Sequence, residues 1–263
     1  MKLLTLNCHS WQEENQLDKI QYLAKTIKEK SYDVIALQEV SQLIAGDKIA
    51  GTIKKDNYLT ILLNELKVLG VTNYDYMWDF SHIGFDKYEE GLAILTKHRI
   101  EEKSSFYISL SDDPANWKTR KIVGVKIRYN NEYISFYSCH LGWWGDEEEP
   151  FPKQVDNLLA NVTRDGTFYL MGDFNNSASV KAEGYDYLLS KGLYDTYELA
   201  IDKDSGTTVE GKITGWDTNK QDLRIDYIFT NKQTLVNKSN VIFNNVNKPI
   251  ISDHFGIDVE SIE

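Results

Sequence analysis

What most constrains the fold of this chain is an interval that occurs twice between polar residues closing apolar runs. Residues 2–7 form a short apolar run closed by Asn7, and the run Val34-Ile35-Ala36-Leu37 leads to Gln38-Glu39, 32 residues beyond Asn7. In the second half, Ile134 to Cys139 is closed by His140, and Phe168 to Met171 leads through Gly172 to Asp173, 33 residues beyond His140. A helical stripe lies inside each interval: Leu17, Ile20, Leu23, Ala24 and Ile27 in one, Val155, Leu158, Leu159 and Val162 in the other. Short apolar runs suit strands, and recurrence at three and four residues suits a helix lying on a sheet. The next strand begins at Gly91, 52 residues after Glu39, and Asp226 lies on its counterpart, 53 residues after Asp173. The pattern is α/β. It predicts two similar sheet-plus-helix halves packed face to face, with polar strand ends meeting at one rim.

Further strands are expected near 74–80, 91–96, 121–128, 132–139, 224–229, 240–244 and 255–259. Helices are expected from Tyr58 to Leu69, capped by Gly70, and around Tyr185, Leu188 and Leu189, stopped by Gly192. Cys8 and Cys139 lie in apolar runs and read as buried thiols, too few for a disulfide framework.

The strand ends carry the chemistry. Asn7, Glu39, His140, Asp173, Asn175, Asp226, Asp253 and His254 all fall there, although carboxylates disfavour both strands and cores. Oxygen donors without a Cys/His cage suit Mg²⁺ or Mn²⁺ far better than Zn²⁺. In Gly172-Asp173-Phe174-Asn175, a carboxylate and an amide two residues apart share one side of an extended segment and can hold a water in line. Asp226, inside an apolar strand, needs a partner, and His254 of Ser252-Asp253-His254 is a good one. That pairing would orient the imidazole and raise its pKa. His9, His82 and His98 have no such setting and read as surface.

Taken together, Leu6-Asn7, Leu37-Gln38-Glu39-Val40, Gly91-Leu92-Ala93-Ile94-Leu95, Cys139-His140-Leu141, Gly172-Asp173-Phe174-Asn175, Arg224-Ile225-Asp226-Tyr227 and Ser252-Asp253-His254-Phe255-Gly256 resemble the motif series of the endonuclease/exonuclease/phosphatase superfamily. The resemblance implies one domain over residues 1–263, a four-layer α/β/β/α sandwich, and Mg²⁺-dependent phosphoester hydrolysis. It implies Glu39 as the principal metal carboxylate, with Asn7 and Asp253 close to the metal. Asp173 and Asn175 match the pair that handles the attacking water, and His140 and His254, the latter with Asp226, match the two active-site histidines. Arg120 resembles the position from which members reach a phosphate oxygen.

Charge bears on the substrate. The chain carries a formal net charge of −11, a poor footing for gripping a polyanion. Gly145-Asp146-Glu147-Glu148-Glu149, just after the His140 strand, would repel a phosphate backbone. Trp143, Trp144 and Trp216 fall in expected rim loops, and indole faces suit the C–H faces of a sugar ring. Trp143-Trp144 and Thr214-Gly215-Trp216-Asp217 also resemble a branch of compact bacterial phosphatases that includes the maltose 6′-phosphate phosphatases. The expectation is a sugar-phosphate monoesterase with a small-molecule partner. A Mg²⁺-dependent nuclease and a neutral sphingomyelinase-like phosphodiesterase are the alternatives; nucleic acid is disfavoured, and no membrane or protein partner is inferred. No run approaches the ~20 apolar residues of a bilayer span, and no cleavable leader is visible, so a cytoplasmic location is expected.

Overall fold

The computed structural model describes residues 1–163 and 165–262. In chain order it runs β1 (Lys2–Asn7), α1 (Gln16–Lys30), β2 (Val34–Gln38), β3 (Gln42–Leu43), β4 (Lys48–Ala50), β5 (Ile53–Lys54), α2 (Tyr58–Val68), β6 (Asp75–Gly84) and β7 (Tyr88–Thr96). Then come β8 (Ile100–Tyr107), β9 (Lys121–Tyr129), β10 (Glu132–His140), α3 (Phe151–Asn161), β11 (Thr167–Asp173) and α4 (Gly184–Ser190). The chain continues with β12 (Tyr194–Asp195), α5 (Thr196–Leu199), β13 (Ala200–Lys203), β14 (Asp226–Thr230), β15 (Val236–Ile242) and β16 (Gly256–Ser261).

Two mixed sheets carry the site. The first has the order β13-β15-β16-β1-β2-β7-β3, with β6 also pairing β7; the second has the order β12-β14-β11-β10-β9-β8. The matched intervals are matched topology. β1 and β2 pair in parallel around α1, from Leu3 opposite Val34 to Asn7 opposite Gln38. β10 and β11 pair in parallel around α3, from Ile134 opposite Thr167 to His140 opposite Asp173. Each unit then adds an antiparallel strand, β7 on β2 and β14 on β11. Parallel strands run to the same end, so each unit delivers two polar strand ends to one rim.

The residues explain the layers. β2 and β11 are buried at every position, as strands covered on both faces must be. Leu3, Val34, Ala36, Leu92 and Ile94 of the first sheet meet Val123, Val125, Ile134, Phe136, Met171 and Ile228 of the second in the central core. Ile20, Leu23, Ala24 and Ile27 of α1, with Leu59, Leu62 and Leu66 of α2, cover the outer face of the first sheet. Phe151, Val155 and Leu158 of α3, with Tyr185 and Leu188 of α4, cover that of the second. The result is the α/β/β/α sandwich. Leu17, assigned to the α1 stripe by spacing, stands in the first helical turn and is 56% exposed.

Polar bonds also cross the central layer. Gln38 Nε2 of β2 donates to Ser138 Oγ of β10 at 2.9 Å, and that hydroxyl donates to Leu37 O at 2.9 Å. Gly172 is a steric necessity: a Cβ there would lie 1.9 Å from Cys139 O on the neighbouring strand. Both cysteines are free and buried. No helix among the described residues is long and apolar enough to cross a membrane.

Candidate active site

The rim where the two parallel units meet is a pocket of about 300 Å³ lined by Glu39, Glu90, Arg120, His140, Asp173, Asn175 and His254, with Trp117, Trp143, Thr214 and Gly215 at its mouth and wall. Glu39 follows β2 with a positive φ of 52°, a left-handed conformation costing a non-glycine residue about 1–2 kcal/mol. The turn is secured by Ser10, whose hydroxyl donates to Glu39 O and accepts the Ser41 N–H at 2.8 Å. Strain held by such a clamp is typical of a residue aimed at a ligand.

Asn7 joins the two sheets at this rim. Its Nδ2 donates to Glu39 Oε1 at 2.8 Å and to Asp173 Oδ2 at 3.2 Å, while its Oδ1 accepts the His9 N–H at 3.1 Å. The amide therefore presents its nitrogen to the carboxylates. Asp253 stands to one side: its Oδ1 is 3.5 Å from His9 Nδ1, its N–H donates to Glu13 Oε1 at 3.1 Å, and ligand atoms of His9, Glu13 and Asp253 lie within 4.8 Å of one another.

Asp173 is the hub. Its Oδ1 accepts the Asn175 N–H at 2.8 Å, and its Oδ2 is 3.7 Å from both His140 Nε2 and His254 Nε2. The ladder sets Asp173 directly opposite Asp226, a like-charged pair that would repel if left alone. His254 resolves it, with Nδ1 at 3.0 Å from Asp226 Oδ2 and Nε2 turned to Asp173. Burial opposes its charging, yet Asp226 and Asp173 outweigh burial and hold the His254 pKa well above the ordinary histidine value. His140 goes the other way: burial, with Arg120, His82 and His254 nearby, keeps it well below and hence neutral. Burial, aided by Asp226 against the opposing pull of His254, pushes Asp173 up to about 7. Burial and the Glu39 charge push Glu90 up to about 8.

The crowding of acidic groups at this rim suits a cation. Carboxyl groups of Glu39, Glu90 and Asp173 crowd one pocket, and Glu39, Glu90 and His140 offer ligand atoms within 4.8 Å of one another. The charged donors among them are carboxylate oxygens. Such a set fits a hard divalent cation.

Arg120 begins β9's approach to the pocket and is 4% exposed. Its Nη1 donates to the carbonyls of Trp117 at 2.9 Å and Thr119 at 3.4 Å, its Nε has no partner, and no carboxylate forms an ion pair with it among the described residues. Trp117 and Trp143 meet edge to face at 6.1 Å and wall the pocket beside it.

Two of the tryptophans assigned to substrate by sequence stand elsewhere. Trp144 packs on Phe151 and Tyr187 against the helical layer of the second sheet. Trp216 packs on Val209, Leu223 and Ile225, and its Nε1 donates to Asn175 Oδ1 at 3.0 Å. The surface assignment of His82 is corrected: it is 5% exposed in the pocket floor, 3.3 Å from Glu90, because β6 runs on to Gly84 through a bulge after Phe80. His9 and His98 are half-buried beside Glu13 and Asp33. Glu90 and Trp117 were not singled out from sequence. Glu90 is in phase with Leu92 and Ile94, the residues β7 sends into the central layer, and that alternation was the available signal.

A model of the Endonuclease/Exonuclease/phosphatase family matches residues 4–254. Among solved structures, an endonuclease/exonuclease/phosphatase family protein from Leptotrichia buccalis C-1013-b is 45% identical, with 100% of each chain covered and a TM-score of 0.95. A mannosyl-6-phosphatase from Bacteroides thetaiotaomicron VPI-5482 is 21% identical over 100% of each chain, with a TM-score of 0.70. A beta toxin mutant from Staphylococcus aureus with bound magnesium ions is 18% identical over 99% of each chain, with a TM-score of 0.65. The search of curated proteins gives no match.

Proposed function

This chain belongs to the endonuclease/exonuclease/phosphatase family, whose members are hydrolases, and from that premise we propose that it is a Mg²⁺- or Mn²⁺-dependent phosphomonoesterase of a sugar phosphate, with maltose 6′-phosphate the first candidate. The observation that carries this reading is Arg120. A buried guanidinium that Glu90, Glu39 and Asp173 act on only through space, with no carboxylate in direct contact, is costly, and a dianionic phosphate seated on it would supply the direct partner.

Glu39 is the residue that would hold the metal, with Glu90 beside it in the pocket, while Asn7 orients Glu39 through its amide nitrogen and Asp253 lies to one side with His9 and Glu13. When bound, a divalent ion neutralises charge developing on the phosphoryl oxygens. The chain's own groups do the remainder. Both ring nitrogens of His254 face carboxylates, so both carry protons and the ring has no lone pair to act as base. Asp173 is left as the acceptor for a water proton, while His254 balances its charge. His140, neutral and 3.7 Å from Asp173 Oδ2, donates to the phosphoryl oxygens as charge builds, while the amide nitrogen of Asn175 holds Asp173 Oδ2 in place. Positioning and charge stabilisation of this kind are most of what phosphoryl transfer asks of a protein.

The sugar preference is supported by the wall. Trp117 and Trp143 give flat apolar contact, and a pocket of about 300 Å³ lies at the small end of ligand sites. Lys118, next to Trp117 in the chain, is already paired with Asp146 at 2.8 Å and Glu148 at 2.9 Å, which leaves little there to grip a second phosphate. A structural neighbour is named a mannosyl-6-phosphatase, and the same class of substrate is proposed here.

The test is phosphate release from maltose 6′-phosphate, glucose 6-phosphate, mannose 6-phosphate and nucleotides, beside sphingomyelin cleavage and plasmid nicking, with and without chelator. Release from a sugar phosphate that chelator abolishes is expected. Rapid nicking without such release would replace this reading with a nuclease.

A further inference from the structure

Asn175 lies two residues beyond β11 in a left-handed conformation, φ 49°, and is buried against the pocket. An amide can face a site with either end, and the two ends do opposite chemistry: the oxygen accepts, the nitrogen donates. Here the choice is made by neighbours. Asn175 Nδ2 donates to Leu141 O at 3.0 Å and lies 3.4 Å from Asp173 Oδ2, while Oδ1 receives the indole N–H of Trp216 at 3.0 Å. An indole N–H only donates, so it accepts no inverted amide.

Trp216 is itself well held. Its ring packs on Val209, Leu223 and Ile225, the last next to Asp226, and its backbone N–H donates to Ile213 O at 2.9 Å. The preceding Gly215 has a φ of 83° and lies against the pocket wall, where a Cβ would come within 2.7 Å of Trp143 Cζ2. The loop carrying Trp216 thus touches the pocket at Thr214 and Gly215 and reaches round behind Asn175.

We propose that Trp216 is a positioning residue: its indole N–H fixes the amide of Asn175 so that the nitrogen, not the oxygen, faces Asp173 Oδ2 and steadies the carboxylate that takes the proton of the attacking water. The inference rests on the phosphoester reading above, but not on the sugar preference. Losing one hydrogen bond to a group that must stay aligned is worth about a five- to tenfold loss in rate.

The test uses Trp216→Phe, which keeps the ring and removes the donor, in the full chain with Mg²⁺ or Mn²⁺ and p-nitrophenyl phosphate as probe. The expected result is a five- to tenfold lower kcat with KM within twofold and an unchanged melting temperature. On an Asn175→Ala background the same substitution should cost nothing further. An equal loss in both backgrounds, or a change in KM alone, overturns the proposal. The second readout is the side-chain NH₂ pair of Asn175 in ¹⁵N–¹H spectra, assigned by its disappearance in Asn175→Asp. It should shift and broaden in Trp216→Phe. If wild type releases no phosphate from the probe, the phosphoester reading fails on that count, and an unmoved Asn175 signal then separately rejects the positioning role.

Discussion

Asp173 and Asp226 face each other across the β11–β14 ladder, and the His254 imidazole bridges them, with Nδ1 at 3.0 Å from one and Nε2 at 3.7 Å from the other. Two buried carboxylates and one cation make a unit whose protons are shared, so altering either acid alters all three groups.

Asp226→Asn should therefore act through His254. Burial lowers the pKa of this imidazole, and it is the carboxylates of Asp226 and Asp173 that lift it above the ordinary value. With Asp226 neutralised, the ring loses its proton at lower pH. The alkaline limb of kcat/KM should move to lower pH, and the rate at pH 7 should drop by about 10²–10⁴-fold. A pH–rate profile whose alkaline limb stays in place would refute the assignment.

Glu39→Gln should remove metal-dependent turnover while sparing the fold. The amide keeps the shape but halves the oxygen donors and removes the charge. Calorimetric titration with Mn²⁺ should show weakened binding, and circular dichroism an unchanged spectrum. Full activity in the variant would reassign the metal carboxylate.

Arg120→Lys and Arg120→Met should separate charge from geometry. If Arg120 clamps phosphate in a fork, KM rises about tenfold or more in the lysine variant and further in the methionine one, with kcat less affected. Inorganic phosphate should raise the melting temperature of wild type and leave that of Arg120→Met unmoved. An equal phosphate-dependent rise in both proteins counts against the clamp.

Asp33 offers a control far from the pocket. Burial disfavours its ionised form, but the Lys2 N–H at 2.7 Å, Lys97 at 3.1 Å and His98 at 3.3 Å outweigh burial and lower its pKa. A carboxylate with a depressed folded pKa lends stability that is present above its unfolded value and lost as pH falls through the folded one. Asp33→Asn should cost about 1–3 kcal/mol at pH 7, and the gap to wild type in denaturant melts should close as pH falls through the lowered folded pKa of Asp33. A gap independent of pH would mean that packing, not charge, is at stake.

The architecture was legible because apolar runs and helical stripes report burial directly. Asn7, Glu39, His140 and Asp173 were visible as polar interruptions at the ends of such runs, and parallel pairing placed all four at one rim. β8 was not legible: it is an edge strand whose Glu101, Glu102, Lys103, Ser104 and Ser105 are exposed, as edge strands must be to resist pairing with other chains. β15 begins four residues earlier than its apolar core suggests, because Asn237 and Lys238 lie on solvated positions. The roles of Trp144 and Trp216 escaped for a different reason. A tryptophan in a loop has the same sequence signature whether its ring faces a ligand or a helix, and only the contacts with Tyr187 and Asn175 distinguish them. Gln38 carries no signal of its own in the sequence beside Glu39, yet its bond to Ser138 is one of the polar ties between the sheets.

That tie has a consequence for how such a protein can change. Glu39 stands on one layer and Asp173 on the other, and the Gln38–Ser138–Leu37 relay fixes how far one layer may slide over its neighbour. A slip of a single residue step, roughly 3.3 Å, would part the two acids and dismantle the reaction centre without disturbing either layer internally. Alignment of the catalyst is thus inherited from the interior, and substitutions in the middle of the molecule are screened by turnover as well as by folding.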